Sequence, residues 1–176
     1  MIEVKSAEFQ PSFSLRLATY RDLPSIASLF VEAFPAHPMS SLSTPLQHKF
    51  IAVHTEECAA LLATDPATDG VIGFAIGGRY EQLDRARQAF IHNNVFPLAL
   101  YALARRRTYF RGRDIRLPGR PQRSRRASPA ARHELRYLTV SAAARGCGIG
   151  SALVRGMEDG MLIDQPYFVW VLAEHV

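Results

Sequence analysis

The sequence predicts a single mixed α/β domain, and three observations carry that expectation. Two apolar runs, 58–64 and 71–78, flank the turn-rich Asp65-Pro66-Ala67-Thr68-Asp69-Gly70, which predicts an antiparallel hairpin. Ile26, Leu29, Phe30 and Ala33 recur at helical spacing. Towards the C-terminus a strand-like segment, a helical one and an apolar run follow in that order. Such an order implies a right-handed crossover between two parallel strands. At 176 residues the chain is the size of one domain.

Each element follows from its residues. Residues 14–18 alternate, with Leu15 and Leu17 on one face, and read as a strand. Asp22 stands where an N-cap is wanted and Pro24 lies in the first turn, so a helix is expected over 23–34, stopped by Pro35 and Pro38. Residues 46–54 give a weaker helical pattern. From 82 to 107 two helices are expected, broken near Pro97, which lacks a backbone donor. Leu98, Leu100, Tyr101 and Leu103 form no narrow stripe, so this segment reads as a cover rather than core. Residues 134–140 read as a strand. Ile149, Ala152, Leu153, Gly156, Met157, Gly160 and Met161 line one helix face. The run 167–173 is apolar on both faces, as in a central strand.

Composition excludes several classes. Hydrophobic residues at 48% and charged residues at 21% are ordinary for a globular chain, and no period of 20–50 residues repeats. The longest apolar run, 95–104, falls short of the roughly 18 residues of a spanning helix and contains Pro97. Residues 1–10 carry charge and no apolar stretch, so no secretory signal is read there and a cytoplasmic location is expected. Cys58 and Cys147 fit no metal spacing and no disulfide framework.

Charge is unevenly placed. Residues 79–136 contain 15 arginines and four acids, a local +11, while the chain as a whole is +5 and the remainder therefore −6. Residues 108–132 read as a mobile basic loop, too poor in apolar residues to offset its ordering entropy. It is either an arm for an anionic partner or a solvated insertion.

One segment points to chemistry. Arg145-Gly146-Cys147-Gly148-Ile149-Gly150-Ser151 lies between the strand ending at Val140 and the helix that follows. Glycines let backbone amides approach a ligand unshielded. The first amides of a helix have no intrahelical partners and sit at the positive end of its dipole. Together they form an anion cradle of pyrophosphate size. A P-loop would need Gly-Lys-Ser or Gly-Lys-Thr, and the only lysines, Lys5 and Lys49, follow Val4 and His48. The dinucleotide fingerprint requires a spacing that Gly146, Gly148 and Gly150 miss.

Arg145-x-x-Gly148-x-Gly150, after Leu138-Thr139-Val140, resembles the acetyl-CoA loop of the GNAT superfamily of N-acetyltransferases. Leu15-Arg16-Leu17-Ala18-Thr19, with Asp22-Leu23 and Ile26, looks like that family's first strand and helix. Val71-Ile72-Gly73-Phe74-Ala75 resembles its third strand. The resemblance covers 13–80 and 133–174, leaving 81–132 as a helical and arginine-rich insertion in a single domain, 1–176. It implies a mostly antiparallel central sheet with flanking helices.

It also implies roles for particular residues. The backbone of Leu138, Thr139 and Val140 would pair with the pantetheine arm. The amides of Arg145, Gly146, Cys147, Gly148, Ile149, Gly150 and Ser151 would hold the pyrophosphate. The last strand would splay from 134–140 and open a slot for the thioester. Glu134, six residues before Val140, is expected on the face of Leu138 and Val140, where some members carry a general base. An ordinary strand-end carboxylate is the other reading of Glu134. Cys147 has no His partner nearby in sequence and reads as a small loop residue.

The chain departs from the family pattern after residue 173, where a helix and hairpin usually follow. It therefore reads as truncated, as a degenerate relative, or as a protomer completed by another chain, with a homodimer among the options. The expected reaction is transfer of an acetyl group from acetyl-CoA to a primary amine by direct attack, with no metal. The first rival is an inactive fold whose arginine-rich loop contacts nucleic acid or another acidic partner. The second is a membrane-surface protein using 96–109 on anionic lipid.

Overall fold

The computed structural model describes residues 13–109, 133–162 and 167–169. Five strands form one sheet in the order β1 (Ser14–Leu17), β2 (Ala59–Thr64), β3 (Val71–Arg79), β4 (His133–Val140), β5 (Tyr167–Val169). The first four run antiparallel to their neighbours, and β5 runs parallel to β4. The expected hairpin is β2–β3, and the strand–helix–strand order does yield a parallel pair. The run 167–173, expected to be central, instead starts β5 at the end of this strand order, and residues 170–173 lie outside the described residues. Apolarity on both faces reports what covers a strand, not its place in the sheet.

Helix α1 (Leu23–Ala33) and helix α2 (Thr44–Glu57) cover one face. Asp22 precedes α1 as expected but does not cap it with its side chain. Its carboxylate turns back to the Thr19 amide and hydroxyl, each at 2.7 Å, and to Arg16 at 2.7 and 2.8 Å. This ties β1 to the entry of α1. Helix α2 extends beyond the expected 46–54 because Ser43 and Pro45 start it earlier.

Helices α3 (Tyr80–Asn93) and α4 (Val95–Tyr109) meet at Asn94, not near Pro97. Pro97 falls in the first turn of α4, where its missing N–H would have had no helical partner. Buried Asn94 makes the break, its side chain donating to the Phe90 carbonyl at 2.8 Å. Leu83, Ala86 and Phe90 of α3 are core residues, so only α4 behaves as a cover. The expected basic loop lies outside the described residues from residue 110 onwards.

Two cores result. The larger joins α1, α2 and α3 to Leu62, Phe74 and Ile76 of the sheet. The smaller joins Ala63, Ala75 and Leu135 to Ile149, Leu153 and Met157 of α5 (Ile149–Met157), on the opposite face. Glycines allow α5 to lie close: a Cβ on Gly73 would stand 3.4 Å from Ile149 and Leu153, and one on Gly77 2.9 Å from Met157. Past Met157 the α-helix continues as a single π-helical turn, Glu158–Leu162, which includes the expected Met161 and leaves Gly160 exposed.

Candidate active site

Strand β4 leads directly into the glycine loop. Ser141 extends the ladder by donating to Ile72, and a short 3-10 turn, Ala142–Ala144, follows. Gly146 and Gly148 then adopt φ values of +82° and +76°, a left-handed conformation that side chains disfavour. A Cβ built on either would meet nothing within 4 Å, so these glycines are required by backbone conformation and not by crowding. Gly148 is the N-cap of α5, and the first helical bond runs from Ala152 N–H to its carbonyl. The amides of Ile149, Gly150 and Ser151 therefore have no partner within the helix. The Arg145 amide is turned onto the Ala142 carbonyl at 3.5 Å, which narrows the exposed cradle to residues 146–151. The Arg145 side chain reaches back to the Val140 carbonyl at 3.3 Å. Cys147 is exposed, and its thiol lies 3.9 Å from the Arg145 carbonyl.

The approach to this loop along β4 has two distinct stretches. Leu138, Thr139 and Val140 pair with Ala75, Phe74 and Gly73 of β3. On the other edge, β5 meets β4 at His133, Glu134 and Leu135. Beyond Leu135, the β5-side edge of β4 pairs with no strand among the described residues.

A β-bulge separates the two stretches. Ile76 pairs with Tyr137 but Gly77 pairs with Leu135, so Arg136 is one residue too many for the ladder. Strict alternation would put Glu134 on the face of Leu138 and Val140, and the bulge reverses that expectation. Leu135, Leu138 and Val140 pack towards α5, whereas Tyr137 packs with the larger core. Glu134 stands opposite Gly78, whose own Cβ position faces Gln82 and Cys58. It is buried, and both its oxygens accept from Arg136 at 2.8 Å. The third Arg136 nitrogen, Nη1, donates to the Leu83 carbonyl of α3 at 3.3 Å. No feature of the sequence marks the bulge.

The same face carries an aromatic group that sequence reasoning did not assemble. The rings of Phe30, His37, Phe50 and His54 all pack around Tyr137, with centroids 5.1 to 6.0 Å away. Burial pushes the Tyr137 hydroxyl up to about 12 and the His54 imidazole down to about 4. Burial also pushes the Cys58 thiol up to about 11, which makes it inert. Among the described residues, no group of His, Cys, Asp and Glu could hold a metal ion, and no helix is long and apolar enough to cross a membrane.

No family model and no curated protein matches this sequence. Solved structures do match its fold. A possible acetyltransferase from Clostridium difficile superposes with a TM-score of 0.52 over 93% of this chain and 82% of its own, at 13% identity.

The fold is that of the GNAT acetyltransferases.

An integron cassette protein from the mobile metagenome of V. cholerae is also similar in structure, with a TM-score of 0.50, 14% identity, and coverage of 92% of this chain and 76% of its own. A Corynebacterium glutamicum structure described as histone acetyltransferase HPA2 and related acetyltransferase has 20% identity over 90% of this chain and 76% of its own, with a TM-score of 0.47. Within the GNAT fold, the loop at Gly146–Gly148 and the bulged β4 lie next to each other in sequence and share α5 as their support.

Proposed function

We propose that this chain is an acetyl-CoA-dependent N-acetyltransferase acting on a primary amine. One observation carries the reading: two left-handed glycines and the free amides of α5 follow directly from a strand whose outer edge lacks a described partner. A pyrophosphate in the cradle at 146–151 would direct the pantetheine arm along the backbone of Leu138, Thr139 and Val140. An amide-rich arm added to a strand edge is held by main-chain hydrogen bonds.

In this reading the amine nitrogen attacks the thioester carbonyl carbon, the carbon–sulfur bond breaks, and CoA leaves as the thiolate, which takes a proton from solvent. Rate enhancement comes mostly from holding amine and thioester together in the right geometry. The amine must lose a proton, and Glu134 is the carboxylate assigned to accept it, through a bridging water. Arg136 fixes its orientation while each oxygen keeps a lone pair outside that contact. Because of the bulge, the amine would approach from the α3 side of the sheet.

Thermal melting with acetyl-CoA, CoA and NAD(P) in parallel tests the donor assignment. A ligand that selects the native state raises the melting temperature by mass action. Acetyl-CoA and CoA are expected to do so and NAD(P) is not. Thiol release with a panel of amines then tests transfer. Binding without release from any amine would retain the donor site and remove the enzyme.

A further inference from the structure

Helix α4 turns an apolar face outward. Leu98 and Tyr101 pack inward against the larger core, and the Tyr101 hydroxyl donates to Ser41. On the other side, Phe96 is 75% exposed, Leu103 58%, Val95 57% and Leu100 52%. Positions 96, 99, 100 and 103 follow helical spacing and form one row. The next two positions of that row, 106 and 107, are both arginine. An exposed patch of large side chains on one helix face is unusual for a lone soluble protein and marks a contact surface.

We propose that α4 docks the protein on an anionic lipid surface. Two needs must be met together at this helix. Phe96, Leu100 and Leu103 need an apolar medium, and the charge that follows needs anions. Arg105, Arg106 and Arg107 follow Leu103 on α4 itself, and no acid occurs from Phe96 to Tyr109. A bilayer of anionic lipid offers acyl chains beneath a plane of phosphates and asks for no shape match. A second copy of this chain would cover the apolar face but bring two copies of the Arg105–Arg107 run to one interface, where they repel. Nucleic acid would satisfy the arginines and leave the apolar row in water. This inference does not depend on the acetyl-transfer reading.

Co-sedimentation of the full chain with vesicles tests it. Vesicles of phosphatidylcholine with phosphatidylglycerol should pellet the protein, and those of phosphatidylcholine alone should pellet far less. Replacing three arginines, Arg105→Gln, Arg106→Gln and Arg107→Gln, should weaken binding on the order of a hundredfold. Phe96→Ser with Leu103→Ser should weaken it on the order of tenfold or more, with the melting temperature unchanged because both side chains are exposed. If that pair melts early, Leu100→Gln alone makes the same test. The proposal is overturned if the protein stays in the supernatant with anionic vesicles. It is equally overturned if the serine pair pellets like the parent, since the arginines would then serve any polyanion. A concentration-dependent dimer abolished by the serine pair would assign the face to self-association instead.

Discussion

Arg136, the extra residue of the β4 bulge, holds both carboxylate oxygens of Glu134, Nε on Oε1 and Nη2 on Oε2, each at 2.8 Å. The two side chains are only 8% and 18% exposed, so neither charge is well hydrated alone. Glu134→Gln removes the proposed proton acceptor and half of this pair. Acetyl-CoA affinity should hold while kcat falls by about 10²–10⁴-fold, a loss that shrinks at high pH as more amine is already neutral. The melting temperature should also fall, because a buried guanidinium is left without its counter-charge. Glu134→Leu with Arg136→Met should recover stability and not activity. If the kcat loss is the same at every pH, Glu134 serves the structure and not the proton transfer.

Gly148→Asp tests the cradle. It places a side chain and a negative charge at a left-handed position beside the free amides of α5. The acetyl-CoA melting shift should disappear while the unliganded protein still folds, less stable by about 1–2 kcal/mol for the left-handed φ, since nothing within 4 Å would be struck. A retained shift would move the donor site elsewhere.

Gly77 and Gly156 make a paired test of how α5 meets the sheet. A Cβ at Gly77 would approach the Glu134 carbonyl to 2.8 Å, a backbone atom that cannot yield cheaply. A Cβ at Gly156 would come within 2.6 Å of Leu61, but of the movable end of its side chain. Gly77→Ala should therefore cost about 1–3 kcal/mol in chemical denaturation, the range for overpacking. Gly156→Ala should cost less. The reverse order would mean that the bulged strand, not Leu61, is the softer neighbour.

Acid stability should fall in two separable windows. His54, buried and held near 4, stays neutral while an unfolded chain takes up a proton below about 6.5. Its contribution is whole above that value and is lost as pH falls towards 4. Burial pushes half-buried His37 the same way. Asp22 is held well below the usual carboxylate range, first by its hydrogen bonds from Arg16. Its contribution is present above about 4 and is lost only at lower pH. In melts against pH, His54→Leu should flatten the upper window and Asp22→Asn the lower. Exchange of these effects would misassign both groups.

The elements were largely legible in the sequence, because hydrophobic spacing and turn residues report local geometry. The β2–β3 hairpin, α1 and the strand–loop–α5 passage all follow from such local signals. The glycine loop was legible for the same reason, since Gly146 and Gly148 supply a backbone conformation that few residues tolerate. The face of Glu134 was not legible. A bulge is decided by how β4 fits β3 and α5, and one extra residue at Arg136 inverts every alternation argument beyond it. The break at Asn94 was hidden for a related reason: proline is harmless in a first turn, so the visible residue was not the one that ends the helix.

The close seating of α5 against Gly73 and Gly77 makes that helix a ruler. Its first residue bears on the strand pairing beside Val140, and its last bears on the strand opposite Leu135 and the Glu134 carbonyl. The nine residues of α5 rise about 12 Å from Ile149 to Met157. The separation between the glycine loop and the Glu134 carboxylate is thus set by a rigid rod and not by a loop. Lengthening α5 by one residue would rotate the part after the insertion by roughly 100° against the part before it, so the contacts at Gly73 and Gly77 could not both be kept. Point changes on its outer face would leave the gauge intact. An insertion between Ile149 and Met157 would uncouple the glycine loop from the Glu134 end of β4.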